Sequence, residues 1–590
     1  MRRLGVAPAA GLLLITIVAF APTIGSDFLL DDDVCVRGNE TLRTPAGLAK
    51  IWLDPQSNQQ YYPVVFSTFW VEYQLWGPNP TGYHLINILV HGVNGVLLWL
   101  ALRRLGVPAP WFVAALFAVH PVQVESVGWI QELKNVLAGF FFFAAIYAYI
   151  RYALPQAVPA DKEIYATAGD RPTTSRRGWY VLALLAGLCA FLSKTATCPL
   201  PVVLALLVWW KHGRLRRQDL VPLLPLFVLS IAAGLVTVWV EKRLYLGVAE
   251  EAWNLSFAAR CLLAGRALWF YAGKLIWPAG LTIIYPRWQL EAGVSWQYLF
   301  PLLAIAVLVA LWALRGRLGR GPLAGVLYFV GMLLPVLGFV NYFNMRQTYV
   351  ADHFLYFACV GLFALGTAGL ARLLQAVPLR PGVVVFGAGA IVALLSVTTA
   401  QQGWLYRDHD KLWADTLAKN PACWMAHHNL GTSLGRQKQY QKAIEHVTEA
   451  VRLRPDYVLA HYNLGKLLAL VGEFDLAKAH LREVIRLEPG HPDARFVLGV
   501  VCFQQEHFDE AATYLTEEIA LHPDSAQALH LLGKVRAQQA RWAEAVACFR
   551  RACALQPNVS AYQRDLAEAL KHVDATAQME ERLNETPRRR

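Results

Sequence analysis

Three consecutive aspartates, Asp31, Asp32 and Asp33, stand directly beyond the first long apolar stretch of the chain. Carboxylates at a lipid boundary are costly unless water reaches them or a reaction uses them. Other ionisable groups gather at the ends of later apolar stretches. They are His120, Glu125 and Lys134 with Asn135, then Lys194, Lys274, Tyr285 and Arg346, and finally Asp352 with His353. Taken singly, each reads as a helix cap, an interfacial anchor or a snorkelling side chain. Together they supply carboxylates and cations at one membrane face, as a lipid-phosphate substrate requires. Neighbouring side chains in an extended loop point apart, so Asp31 and Asp32 cannot share one role. A divalent cation on Asp31 and Asp32 is a further alternative, although no third ligand is evident.

These groups must be held by membrane-embedded elements. The 590 residues are 56% hydrophobic and only 16% charged, against about 25% charged in a soluble domain. The deficit lies in residues 1–402, while 421–575 reads as a water-soluble helical region and 576–590 as a basic disordered tail. Apolar segments at about 4–24, 84–102, 108–121, 134–152, 179–193, 196–210, 220–240, 298–314, 322–341, 353–373 and 383–400 give about eleven candidate spans of the hydrocarbon core. The first, followed by Ala19-Phe20-Ala21-Pro22, reads as a retained span rather than a cleaved signal. Cations between spans (among them Arg2, Arg103, Lys162, Arg171, Lys211, Arg320 and Arg372) fall on one side in a single orientation. It places the N-terminus in the cytoplasm and the loop at 25–83 outside, together with 421–575. The segment 263–284 is apolar, but its Trp and Tyr content suits a helix lying on the interface. In the first loop, Ala46–Leu53 and Tyr61–Trp76 read as amphipathic helices roofing the Asp cluster. The net charge of +12 is accounted for by these loops, with no basic stripe for nucleic acid. Nine scattered Cys without CxxC spacing exclude a zinc ribbon and argue against a disulfide scaffold.

In the C-terminal region prolines recur at 421, 455, 489, 523 and 557, and Leu-Gly pairs begin at 430, 464, 498 and 532, thirty-four residues apart. Tyr440, Phe474, Phe508 and Trp542 keep the same register, each followed three residues later by an alanine. This is the tetratricopeptide repeat (TPR) pattern. Four repeats are expected at 424–457, 458–491, 492–525 and 526–559, with a capping helix to 575. Their concave face suits extended or helical peptides. The histidines within 427–572 follow no ligand spacing, and no metal site is expected there.

Several segments carry a resemblance. They are Asp31-Asp32 with Val36 and Asn39; His120-Pro121-Val122-Gln123-Val124-Glu125-Ser126-Val127-Gly128-Trp129-Ile130 with Lys134-Asn135; Leu192-Ser193-Lys194-Thr195; Trp277-Pro278 with Tyr285-Pro286; and Ala351-Asp352-His353-Phe354-Leu355-Tyr356. In these the chain resembles the transmembrane-and-TPR O-mannosyltransferase family, within the wider GT-C glycosyltransferases. Tyr62, Leu133 and His353 stand where that family commonly has basic residues. The resemblance implies an all-α fold, a polytopic GT-C-type helix bundle followed by a TPR α-solenoid. It also implies transfer of a mannose-like sugar from a polyprenyl-phosphate carrier, the co-substrate, to protein Ser/Thr hydroxyls on the non-cytoplasmic face. In that reading Asp31 is the base and Asp32 its positioner. His120, Glu125, Lys134, Lys194, Arg346, Asp352 and His353 bind substrate. Two rivals remain open: a TPR membrane scaffold with a degenerate transferase half, and a ligase or polymerase of lipid-linked glycans.

Overall fold

The computed structural model describes residues 3–154, 176–244, 255–341, 343–377 and 380–585. Arg2, Lys162 and Arg171 of the expected inner cations, and residues 586–590 of the expected tail, lie outside the described residues. The chain forms two units, Met1–Asn420 and Pro421–Arg590. The described residues are helical and contain no strand.

Several helices of the first unit begin with proline in their first turn, among them Pro45–Leu53, Pro63–Trp76, Pro80–Arg104, Pro110–Val119 and Pro381–Leu405. Proline is suited to that place, since the amide it lacks would have no intrahelical partner. At His120-Pro121 the same chemistry breaks a helix. The residue before proline is pushed out of the helical region, His120 adopts φ −76° and ψ 133°, and Pro110–Val119 meets Pro121–Gly128 at 53°.

Among the described residues seven helices are long and apolar enough to cross a membrane, or eight if the bent pair is one span, against about eleven expected. The expected spans at 179–193, 196–210 and 322–341 are the helices Arg176–Ser193, Leu200–His212 and Gly321–Leu333. The first opens on charged residues. The other two have thirteen residues each, a rise of about 20 Å against a core of about 30 Å.

Basic helix ends meet at one end of the bundle. Arg104 donates to the Leu154 carbonyl at 3.4 Å, Lys211 to Leu105, and Arg372 to Leu318 at 3.4 Å. A Cβ at Gly213 would collide with the Arg320 guanidinium. The Asp cluster lies at the opposite end. Helix Phe257–Ile276 runs along that opposite end: Arg260 near its start reaches the Gly338 carbonyl, Trp269 the Phe300 carbonyl at 3.0 Å, and its Leu275 carbonyl meets His120 at 3.2 Å. In the first loop, Pro45–Leu53 and Pro63–Trp76 pack through Ile51, Val65, Phe66 and Phe69 onto Phe28, Tyr83, Ile130 and Leu133. Leu53, Val71 and Leu75 stay exposed, as on elements resting at a membrane surface. Residues 403–420, left between the two expected regions, belong to the first unit. Helix His409–Lys419 is tied there by Lys419 to the Leu281 carbonyl at 2.7 Å and by Asn420 to Ile284 at 3.2 Å.

The second unit is a stack of helix pairs, Trp424–Arg436 with Tyr440–Leu453, Val458–Leu470 with Phe474–Leu487, Ala494–Gln504 with Phe508–Leu521, and Ala526–Gln538 with Trp542–Leu555. Helices of one pair cross at glycine: a Cβ on Gly431 would stand 2.6 Å from Val447 and 3.0 Å from the Ala443 carbonyl. Lys438, Gly472, Glu506 and Ala540, at the same repeat position, all have positive φ between the helices of a pair. The last helix, Ser560–Glu585, continues ten residues beyond the expected cap. Residues 576–585 contain no glycine or proline to stop it, and Pro587 follows.

Gly431→Val is expected to lower stability by about 1–3 kcal/mol through overpacking. Ala540→Gly is expected to raise it by up to about 1 kcal/mol by relieving a left-handed alanine. Thermal melting of the purified full chain checks both signs.

Candidate active site

The site forms where the first helix ends. Beyond Arg3–Phe20 and the turn Ala21–Gly25, Leu30 holds φ +52°. Such a conformation in a side-chain-bearing residue persists only where its surroundings fix it. Asp32 does so. It is fully buried, one carboxylate oxygen accepts the Leu29 amide at 2.9 Å, and the other accepts the Gln131 amide at 2.8 Å. Burial pushes its pKa up to about 8, although both backbone donors act the other way. Asp31, one residue earlier, is open to solvent. Crowding by protein still holds its carboxyl above the usual carboxylate range, with Lys134 pulling it down and Glu132 adding to the rise. The two neighbours therefore differ: Asp32 is engaged by backbone, and Asp31 is exposed.

Beside them lies Glu132, in the single turn Ile130–Glu132 that starts helix Leu133–Ala153. Its carboxylate, 1% exposed, receives Lys134 Nζ at 2.9 Å and Lys194 Nζ at 3.2 Å. Asn135 Nδ2 adds a third donor at 2.7 Å and reaches the His353 carbonyl at 3.2 Å. Two ammonium groups on one carboxylate leave a positive charge without a partner in the pair. Burial lowers the Lys194 pKa to about 8, with Glu132 opposing and Lys134 adding to the shift.

A second cluster adjoins. Glu125 accepts the His353 backbone amide at 2.9 Å and meets His353 Nδ1 at 2.7 Å. Tyr285 donates its hydroxyl to Asp352 at 2.8 Å; burial, reinforced by Asp352, raises the Tyr285 pKa and keeps it a donor. Tyr271 accepts the Ala351 amide at 3.1 Å. Deeper in the bundle His91 and Asn94 both bond the Tyr356 hydroxyl, at 2.9 and 2.8 Å, and Asn94 also reaches the Val136 carbonyl at 2.8 Å. These bonds lock three helices beneath the site.

The fold thus brings together Asp31, Asp32, Glu125, Lys134, Lys194, Asp352 and His353. His120 is different. Its Nε2 meets the Leu275 carbonyl at 3.2 Å and its Nδ1 accepts the Val122 amide at 3.4 Å. Both ring nitrogens are engaged by backbone, which ties the helix bend to Phe257–Ile276. Arg346 ends the short turn Phe343–Arg346, half-buried, on the segment leading to Asp352. Glu132 and Gln131 escaped the sequence reading; the signal was a carboxylate two residues before Lys134. Among the described residues, no three of His, Cys, Asp and Glu gather as a metal site, and Asp32 has both oxygens on backbone amides.

Comparison with known proteins adds to this geometry. The tetratricopeptide repeat family model matches residues 462–526 and 503–560, and a second TPR repeat model matches 431–472. Several relatives share a name. They are protein O-mannosyl-transferases. TMTC4 of Homo sapiens is 24% identical over 503 residues, 73% of this chain and 64% of that protein. TMTC2 of Mus musculus is 26% identical over 275 residues, 45% of this chain and 29% of that protein. F38B6.6 of Caenorhabditis elegans is 28% identical over 154 residues, 24% of this chain and 22% of that protein. The chain spans less than two thirds of the length of each. The resemblance read from the motifs is borne out, as is the all-α fold with C-terminal TPRs. Among solved structures, MamA is 23% identical, covering 25% of this chain and 81% of that one, with a TM-score of 0.25. YrrB, described as a TPR protein with an unusual peptide-binding site, is 20% identical over 29% of this chain and 86% of its own, with a TM-score of 0.25.

The charge count yields an asymmetry. Glu132→Gln leaves two buried ammonium groups unneutralised and is expected to cost about 3–5 kcal/mol. Lys194→Met leaves a neutral Lys134–Glu132 pair and is expected to cost clearly less. Thermal melting of the two detergent-purified variants checks the order, and a reversed order removes Glu132 from its central place.

Proposed function

We propose that this chain is a GT-C-type glycosyltransferase of a bacterial inner membrane or its equivalent. It moves a sugar, mannose-like, from a polyprenyl-phosphate carrier to Ser or Thr hydroxyls of proteins on the extracytoplasmic face. The TPR unit recruits the acceptor through its concave surface. The observation that carries the reading is the Lys134–Glu132–Lys194 group, net positive and buried, beside the solvent-open carboxylate of Asp31.

The chemistry follows from that pairing. The acceptor hydroxyl gives its proton to Asp31 as its oxygen bonds to the anomeric carbon of the sugar. The bond from that carbon to the phosphate oxygen breaks, and the electron pair leaves with the lipid phosphate. Lys134 and Lys194 hold the charge that develops there, in a place where low polarity strengthens their effect. Asp32 fixes the turn that presents Asp31. His353 and Glu125, with Asp352 and Tyr285, hold the segment beside these groups in place.

Asp31→Asn keeps the size of the side chain and removes the base, so donor turnover by purified protein is expected to fall on the order of 10²–10⁴-fold with unchanged melting. Full activity in that variant sinks the assignment. The pH profile carries a second mark. The base works deprotonated and its pKa is raised, so turnover declines on acidification at a pH above the ordinary carboxylate range. Lys134→Met removes the charge that lowers this pKa and moves the acid limb further up. The alkaline limb lies near the Lys194 pKa of about 8, where the ammonium is lost.

Orientation is supported by the basic helix ends gathered opposite the Asp cluster. Protease added outside spheroplasts is expected to remove the TPR unit; its protection places both the repeats and the site on the cytoplasmic side.

A further inference from the structure

A cavity of about 480 Å³ opens far from the Asp cluster, at the basic end of the bundle. It lies between the last turns of Pro80–Arg104, the middle of Leu133–Ala153, the end of Leu200–His212, the start of Gly321–Leu333 and the far half of Leu355–Gln375. Its walls are apolar, with Leu102, Phe143, Leu207, Trp210 and Val360 among them, and Arg320 and Arg372 are at its outer end. The size falls within the roughly 300–1,000 Å³ of pockets that enclose small-molecule ligands.

Three observations identify an occupant. Tyr328 lines the cavity, and its hydroxyl is buried without a hydrogen-bond partner. A buried hydroxyl left unpaired is costly, and an ester oxygen inside the cavity would satisfy it. Arg372 donates only weakly, to the Leu318 carbonyl at 3.4 Å, and among the described residues no carboxylate pairs with Arg372 or Arg320. Both guanidiniums are exposed at the mouth, where a phosphate would be held by two charged donors. From Val360 to Arg372 the cavity follows about 18 Å of helix, close to one leaflet of a core about 30 Å thick.

We infer that this cavity binds an anionic glycerophospholipid of the leaflet opposite the active site. Its phosphate sits on Arg320 and Arg372, an ester oxygen meets Tyr328, and one acyl chain reaches inward to Phe143 and Val360. A polyprenyl-phosphate donor has its phosphate at the other membrane face and leaves both guanidiniums without an anion.

Native mass spectrometry of the full chain in detergent tests this, with palmitoyl-oleoyl phosphatidylglycerol, the matching phosphatidylcholine and undecaprenyl phosphate as probes. Wild type is expected to retain one phosphatidylglycerol at least tenfold better than phosphatidylcholine. Gly369 lines the cavity and has open space where a Cβ would stand. Gly369→Phe fills the cavity and is expected to abolish retention, while Gly387→Phe, at an equally open glycine elsewhere, retains the lipid. The double change Arg320→Gln, Arg372→Gln leaves the buried walls intact and is expected to reduce phosphatidylglycerol to the phosphatidylcholine level. Equal retention by all variants overturns the inference. So does loss of undecaprenyl phosphate, rather than phosphatidylglycerol, on Gly369→Phe, since that result gives the cavity to the donor tail.

Discussion

A buried carboxylate must find positive partners or lose its charge, and Glu132 finds two. Lys134 comes from its own helix, and Lys194 from the end of another. Asn135 then carries the connection to the backbone of His353. Three chain segments far apart in sequence are therefore fixed around one anionic point. Apolar packing alone would not fix their register, because a methylene contact is nearly indifferent to small displacements. An ion pair removed from water is not, since each ångström of separation costs most where the surroundings are least polar. The bonds of His91 and Asn94 to Tyr356 beneath the site add a second directional lock, between Pro80–Arg104 and Leu355–Gln375.

The first loop is bound to this frame through Asp32 and not through Asp31. One carboxylate ends in backbone, and its neighbour is left for chemistry. The strain at Leu30 is the local cost of turning the chain so that adjacent residues serve opposite ends. Above them the two amphipathic helices of the loop close the apolar cluster around Phe28, Phe69 and Tyr83. Asp31 is thereby roofed without being sealed.

Much of this was legible in the sequence because it is periodic or compositional. The thirty-four-residue register of the repeats and the apolar spans depend on patterns that neighbours in sequence reveal. The groups Asp31, Lys134, Lys194, Asp352 and His353 were legible as ionisable residues at span ends. Glu132 was not singled out, since a glutamate near a helix start is ordinary until burial is known. His120 shows the converse: its place in a recognisable motif does not disclose that both nitrogens bond backbone. The expected spans outnumber the long apolar helices among the described residues because hydropathy registers apolar length but not where a helix starts and stops. The left-handed residues at Lys438, Glu506 and Ala540 were hidden because only Gly472 in that series advertises the conformation.

The tie made by Asp32 is unusual in what it asks of its partners. It is met by the backbone amides of Leu29 and Gln131, groups that nearly every amino acid supplies. Mutation at positions 29 and 131 can change shape and charge and still leave the bond in place; only proline would abolish it. Position 32, by contrast, has to supply two acceptors in one short side chain. Tolerance to drift is therefore lopsided across the junction, and the geometry that aims Asp31 is protected by one codon instead of three.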